Sequence, residues 1–205
     1  MFPSRPRNHS ERRAVDAQVR AALGDASLPL DARAFIEALW LPSADAWVAA
    51  VAAHHGLQGA EAVAEAAVAE ADEAFDAALL AVSEELRDAR GRRCALGDLV
   101  GVPPSDVVRS APARATGIAE ALVRLLDAGA ASAPAPLVDA LRATAAALDH
   151  AAPAAAAAEG ERIDAGHALQ QASARFDAAT SNLLRAVAAV NGGAVARKVL
   201  PAFPR

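Results

Sequence analysis

Apolar residues recur at alternating steps of four and three from Ala64 to Leu86: Ala64, Val68, Ala71, Phe75, Leu79, Val82 and Leu86. That spacing keeps one face of a helix apolar. Adding 101 to each number gives Ala165, Leu169, Ala172, Phe176, Thr180, Leu183 and Val187, a second seam with Thr as the one polar member. Both seams carry Phe-Asp-Ala-Ala, at Phe75 and Phe176, and both are followed by a stop glycine, Gly91 and Gly192. Upstream, "FIEALW" from Phe35 resembles "LVDALR" from Leu137, shifted by one extra residue. The shared order of these features predicts an internal duplication of about 100 residues.

The remaining punctuation is helical, and no run of alternating β-branched residues predicts a strand. Ser10 can cap a helix that stops at Gly24, and Asp31 one that Pro42 breaks. Ser43 can cap a third, ending at Gly56, and a long helix follows from about Gly59 to Arg90. The Gly- and Pro-rich stretch after Gly91 predicts a connector with short helical turns. Further helices are expected at about Arg114–Ala128 and Pro136–His150, with Pro153 at a junction, and from about Ala155 to Asn191. These expectations divide the chain into a disordered basic arm (1–9), a first helical half (10–91), a connector (92–113), a second half (114–193) and a C-terminal tail (194–205). Two short-plus-long helix pairs can bury both long helices together, so the expected fold is one all-α antiparallel bundle with a four-helix core.

Composition thins that core. Hydrophobic residues make up 54% of the chain, but much of this is alanine, aromatics are 3% and Tyr is absent. Alanine favours helix and close backbone approach while burying little area. Net charge is -5, which is not the basic signature of a nucleic-acid binder. Arginines crowd both ends, whereas acids concentrate in the middle. A single cysteine, Cys94, excludes an internal disulfide framework and fits a reducing cytoplasm, the expected location. No apolar segment follows the basic start, so no secretory signal is read. Ala46–Ala60, the longest mid-chain stretch without charge, is too short to span a bilayer, so no transmembrane segment is expected.

Candidate chemistry is sparse. His54, His55 and His150 sit at expected helix ends, where the dipole favours them. Asp164 and His167 have the i, i+3 spacing of bundle metal sites, but their equivalents 101 residues earlier are Val63 and Ala66. Glu61, Glu65, Asp72 and Asp76 form an acidic stripe that reads as a solvated face able to meet a basic partner. Cys94 reads as a packing residue rather than a nucleophile, although flanking arginines can lower a thiol pKa. Trp40 and Trp47 read as anchors where two helices meet, with a ligand pocket between them as the alternative. No Gly-x-Ser-x-Gly elbow, P-loop or dinucleotide fingerprint is present. The expected function is therefore a non-enzymatic bundle, without catalytic residue, metal or cofactor, acting on a protein partner or on itself as a homo-oligomer. Arg197, Lys198, Leu200 and Phe203 in the C-terminal "ARKVLPAFPR" are the candidate contact residues. A membrane surface is not expected as a partner. The rival readings are an amphipathic protein of lipid or granule surfaces, and a bundle that binds a small ligand or metal.

Overall fold

The computed structural model describes residues 6 and 8–200, and the chain is 84% helical. Helix α1 spans His9–Gly24. Its cap is Asn8 rather than Ser10: the Asn8 carboxamide oxygen accepts the Glu11 N–H at 2.9 Å. Asn8 and His9 thus belong to the helix start and not to the expected arm, whose other residues lie mostly outside the described ones.

Pro42 does not end the next helix. Helix α2 (Leu30–Phe35) continues through a π turn (Ile36–Trp40) into α3 (Leu41–Glu85). In the π turn the Leu41 N–H bonds back to the Ile36 carbonyl, five residues away. The widened turn sits directly before the residue that has no N–H and would clash in a regular helix. Gly56 and Gly59 are likewise absorbed, and α3 stops five residues before Arg90. Two two-residue segments, one expected in a helix and one in a linker, pair as antiparallel strands, β1 (Arg87–Asp88) with β2 (Ala131–Ser132). They are too short to leave an alternating pattern.

The connector holds α4 (Leu96–Val100) and α5 (Pro104–Val107), followed by α6 (Pro112–Asp127). Helix α7 runs Ala135–Val199, through Pro153. Pro153 and Asp149, whose carbonyl loses its helical donor, are both exposed, so water can serve that carbonyl. Gly192 does interrupt the helix, with φ 81° and ψ 165°, a conformation open to glycine alone. The chain turns helical again behind it, so the tail to Val199 is not extended.

Two compact units result, and they interleave the expected halves. Unit 1 combines residues 1–56 with 163–205; unit 2 is Leu57–Arg162. In unit 1, α1 supplies Val15 and Val19, the α2–α3 helix Ile36, Trp40 and Trp47, and α7 Phe176, Leu183 and Val187, all buried in one cluster. The long helices run antiparallel there, since Trp40 meets Thr180 and His54 lies beside Gly166. In unit 2, Phe75, Leu79, Val82 and Leu86 of α3 cluster with Ala115, Ala119 and Leu122 of α6 and Leu141 and Leu148 of α7. Instead of one four-helix core there are two clusters. Each is built from a short helix, the first part of the long helix after it, and the last part of the other long helix.

Burial follows the 101-residue spacing. Phe75, Leu79, Val82 and Leu86 are buried, and so are Phe176, Thr180, Leu183 and Val187. The upstream segment keeps the same spacing without the extra residue: Trp40, Ala44 and Trp47 are buried, and so are Leu141, Ala145 and Leu148. The expected shift of 102 would set buried Trp40 against exposed Arg142.

Candidate functional site

In unit 1 the Trp40 indole N–H donates to the Thr180 hydroxyl at 3.1 Å, and the ring meets Phe176 edge-on at 5.6 Å. Trp47 packs on the other side of Phe176, at 5.1 Å, and carries His9 at 5.0 Å. The two tryptophans are thus buried core anchors around one phenylalanine. Beside them Arg12 forks onto Asp177, Nε to Oδ1 at 2.9 Å and a terminal nitrogen to Oδ2 at 2.7 Å. Sequence reading missed this pair, because a separation of 165 residues leaves no local signal. Burial, then Arg13, Arg12 and His55, hold the His9 pKa below its ordinary value.

Unit 2 holds a cleft of about 600 Å³ between the β1–β2 pair and the start of α7. Its charged groups are already satisfied. Arg142 pairs with Asp127 and reaches Asp139 at 3.5 Å. Asp88 accepts the backbone N–H of Arg90 and Arg92 and the Arg92 guanidinium. Those bonds, the Arg92 N–H first, hold the Asp88 carboxyl below the usual range. Cys94, half-buried nearby in sequence, has its thiol pushed up by burial and then by Asp88 and Asp98. That is the reverse of the activation that flanking arginines would give.

Asp164 and His167 are both exposed, and no group of three metal-ligating side chains forms among the described residues. In the acidic stripe, Glu61 pairs with Arg162 at 2.6 Å. Asp76 is raised above the usual carboxyl range by burial and then by Asp72, and its Oδ1 is buried without a hydrogen-bond partner. Asp76 and Asp177 hold the same place in Phe-Asp-Ala-Ala, yet among the described residues only Asp177 pairs with an arginine.

The tail residues divide. Val199 and Leu200 are buried in the unit 1 cluster, Arg197 and Lys198 are exposed, and Phe203 lies outside the described residues. Leu200 is therefore committed to its own core. Uncovered apolar surface lies on the long helices instead: Val63 is 72% exposed, Val190 55% and Leu80 45%. The α2–α3 helix, Leu30–Glu85, is long and apolar enough to cross a membrane by length and composition, with 22% of its most apolar window buried. The expectation of no such segment rested on the uncharged stretch Ala46–Ala60 alone, whereas the continuous helix extends well beyond it on both sides.

Charge is partitioned just as unevenly. The unit 1 sequence has 11 Arg and Lys against 8 Asp and Glu, and unit 2 has 9 against 17. Within α3 the segment Glu61–Glu85 carries eight carboxylates and no cation. No family model, no curated protein and no solved structure matches the chain.

Proposed function

We propose that this is a non-enzymatic helical-bundle protein that works by protein–protein contact, including contact with its own copies. The observation that carries the reading is the α2–α3 helix, whose most apolar window is only 22% buried. Its alanine-rich outer face lets another helix approach closely, and covering apolar area is favourable wherever a partner offers a matching face. Trp40 and Phe176 are spent on the core, so the apolar surface left for contact is aliphatic, Val63, Leu80 and Val190 among it, set between alanines and charges. The same apolar window supports a second reading, adsorption to a lipid or granule surface. Sedimentation of the purified chain with and without anionic vesicles, alongside affinity capture from the native cell, separates the two. A bound protein or self-assembly without flotation is expected. Flotation with vesicles and no protein contact would replace the first reading with the second.

We also infer that the two units derive from one duplicated short-plus-long helix pair. The shared burial register at 101 residues supports this, because it holds at seven position pairs drawn from two segments of each long helix.

A further inference from the structure

The outer face of α3 in unit 2 sets like charges side by side, with few ion pairs to offset them among the described residues. Glu70 and Glu73 are spaced i, i+3, and Asp72 and Asp76 i, i+4. Like charges at those spacings repel along a helix. Glu61 is held by Arg162, but none of the seven later carboxylates, Glu65 to Glu85, lies within ion-pair distance of a cation among the described residues. The face itself reads Ala66, Glu70, Glu73, Ala77, Leu80, Glu84, in steps of four and three, and every member is exposed. It is a second seam, opposite the buried one, with small residues between acids.

The equivalent part of α7 carries the opposite sign. From Gln170 to Val199 it has Arg175, Arg185, Arg197 and Lys198 against one acid, Asp177, which Arg12 already holds. All four cations are exposed, and none has a carboxylate partner among the described residues. Arg185 donates only to Asn182 and to a backbone carbonyl. Exposed Ala174 and Ala178 lie between the two arginines and beside them. Glu73 and Glu84 stand eleven residues apart, about 16 Å along a helix, and Arg175 and Arg185 ten, about 15 Å.

We propose that the acidic outer face of α3 on one molecule docks on the basic outer face of α7 on a second copy of this chain. The proposal rests on the contact reading above and names the partner. Opposite charge at similar spacing along the two helices steers the encounter. The alanines let the helix backbones come close, and Val63 and Leu80 supply apolar area.

Sedimentation equilibrium of the full chain tests this at about 50 mM and about 500 mM NaCl, where the screening length falls severalfold. A dimer is expected, with association at least about tenfold weaker at high salt. The double variants Glu73→Arg/Glu84→Arg and Arg175→Glu/Arg185→Glu should each be monomeric under conditions where the unchanged chain dimerises. Mixed one to one, they should associate again. Helix content by circular dichroism checks their folding, and Glu73→Gln/Glu84→Gln serves if the reversal disturbs it. A chain that stays monomeric at both salts overturns the self-pairing. So does a dimer indifferent to both charge reversals, or two monomeric variants that fail to rescue each other. Affinity capture distinguishes the levels: a monomer that still binds another protein sinks self-pairing alone, and one that binds nothing sinks the contact reading too.

Discussion

Two aspartates at equivalent positions have opposite fates. Asp177 lies under the Arg12 fork, while Asp76 has an orphaned, buried Oδ1 and a pKa raised by burial and by Asp72. A carboxylate whose folded pKa exceeds its unfolded value binds more protons when folded. Its contribution therefore falls as pH rises through the window between 3.8 and the raised value. Asp76→Asn removes the charge and should stabilise the fold at pH 7 by about 1 kcal/mol, the lower end of the cost of an unsatisfied buried acceptor. The advantage should shrink towards pH 4, as the native Asp76 takes up its proton. Urea titrations at the two pH values measure both. An Asn variant less stable at pH 7 would mean that Asp76 has a partner.

At the scale of elements, four glycines separate into two kinds. Gly56 and Gly59 lie inside α3, where an added Cβ would meet nothing within 4 Å. Alanine there removes backbone freedom from the unfolded chain, so Gly59→Ala should stabilise by about 0.5–1 kcal/mol. Gly91 and Gly192 have φ of 75° and 81°. Gly192→Ala should destabilise by about 1–3 kcal/mol, although the space around it is equally open, because its backbone conformation is the obstacle. Thermal melts of the two variants should move in opposite directions. Equal shifts would mean that helix α7 runs on without its break. The stop signal at Gly192 was legible in the sequence, whereas the π turn before Pro42 was not. Nothing in "FIEALW" marks where a helix will widen, because that choice depends on Ile36 and Trp40 both reaching the unit 1 core.

For the whole molecule, Phe75 is the largest buried side chain that α3 gives to the unit 2 cluster, and Phe176 the largest that α7 gives to the unit 1 cluster. Each change to Ala should cost about 3–5 kcal/mol, through lost transfer energy and a residual cavity. Both tryptophans belong to unit 1, so their emission reports that unit. Phe176→Ala should therefore lower the denaturant midpoint seen by fluorescence, and Phe75→Ala the midpoint seen by circular dichroism. An effect below about 1 kcal/mol at either would sink the equivalence of the two anchors.

Periodicity by itself determined the all-α class, both seams through Phe75 and Phe176, the connector turns and the thin alanine core, because amphipathic spacing is a property of neighbours in sequence. It also exposed the acid-rich run of α3, since charge is counted without a fold. Tertiary structure alone decided that Pro42 and Pro153 stay inside long helices, that the halves interleave into two clusters, and that Leu200 is core. It also decided that Arg12 holds Asp177 while Asp76 has no counterpart. Those outcomes depend on contacts between residues over a hundred positions apart, and burial of large side chains outweighs the modest local cost of a proline or glycine in a helix.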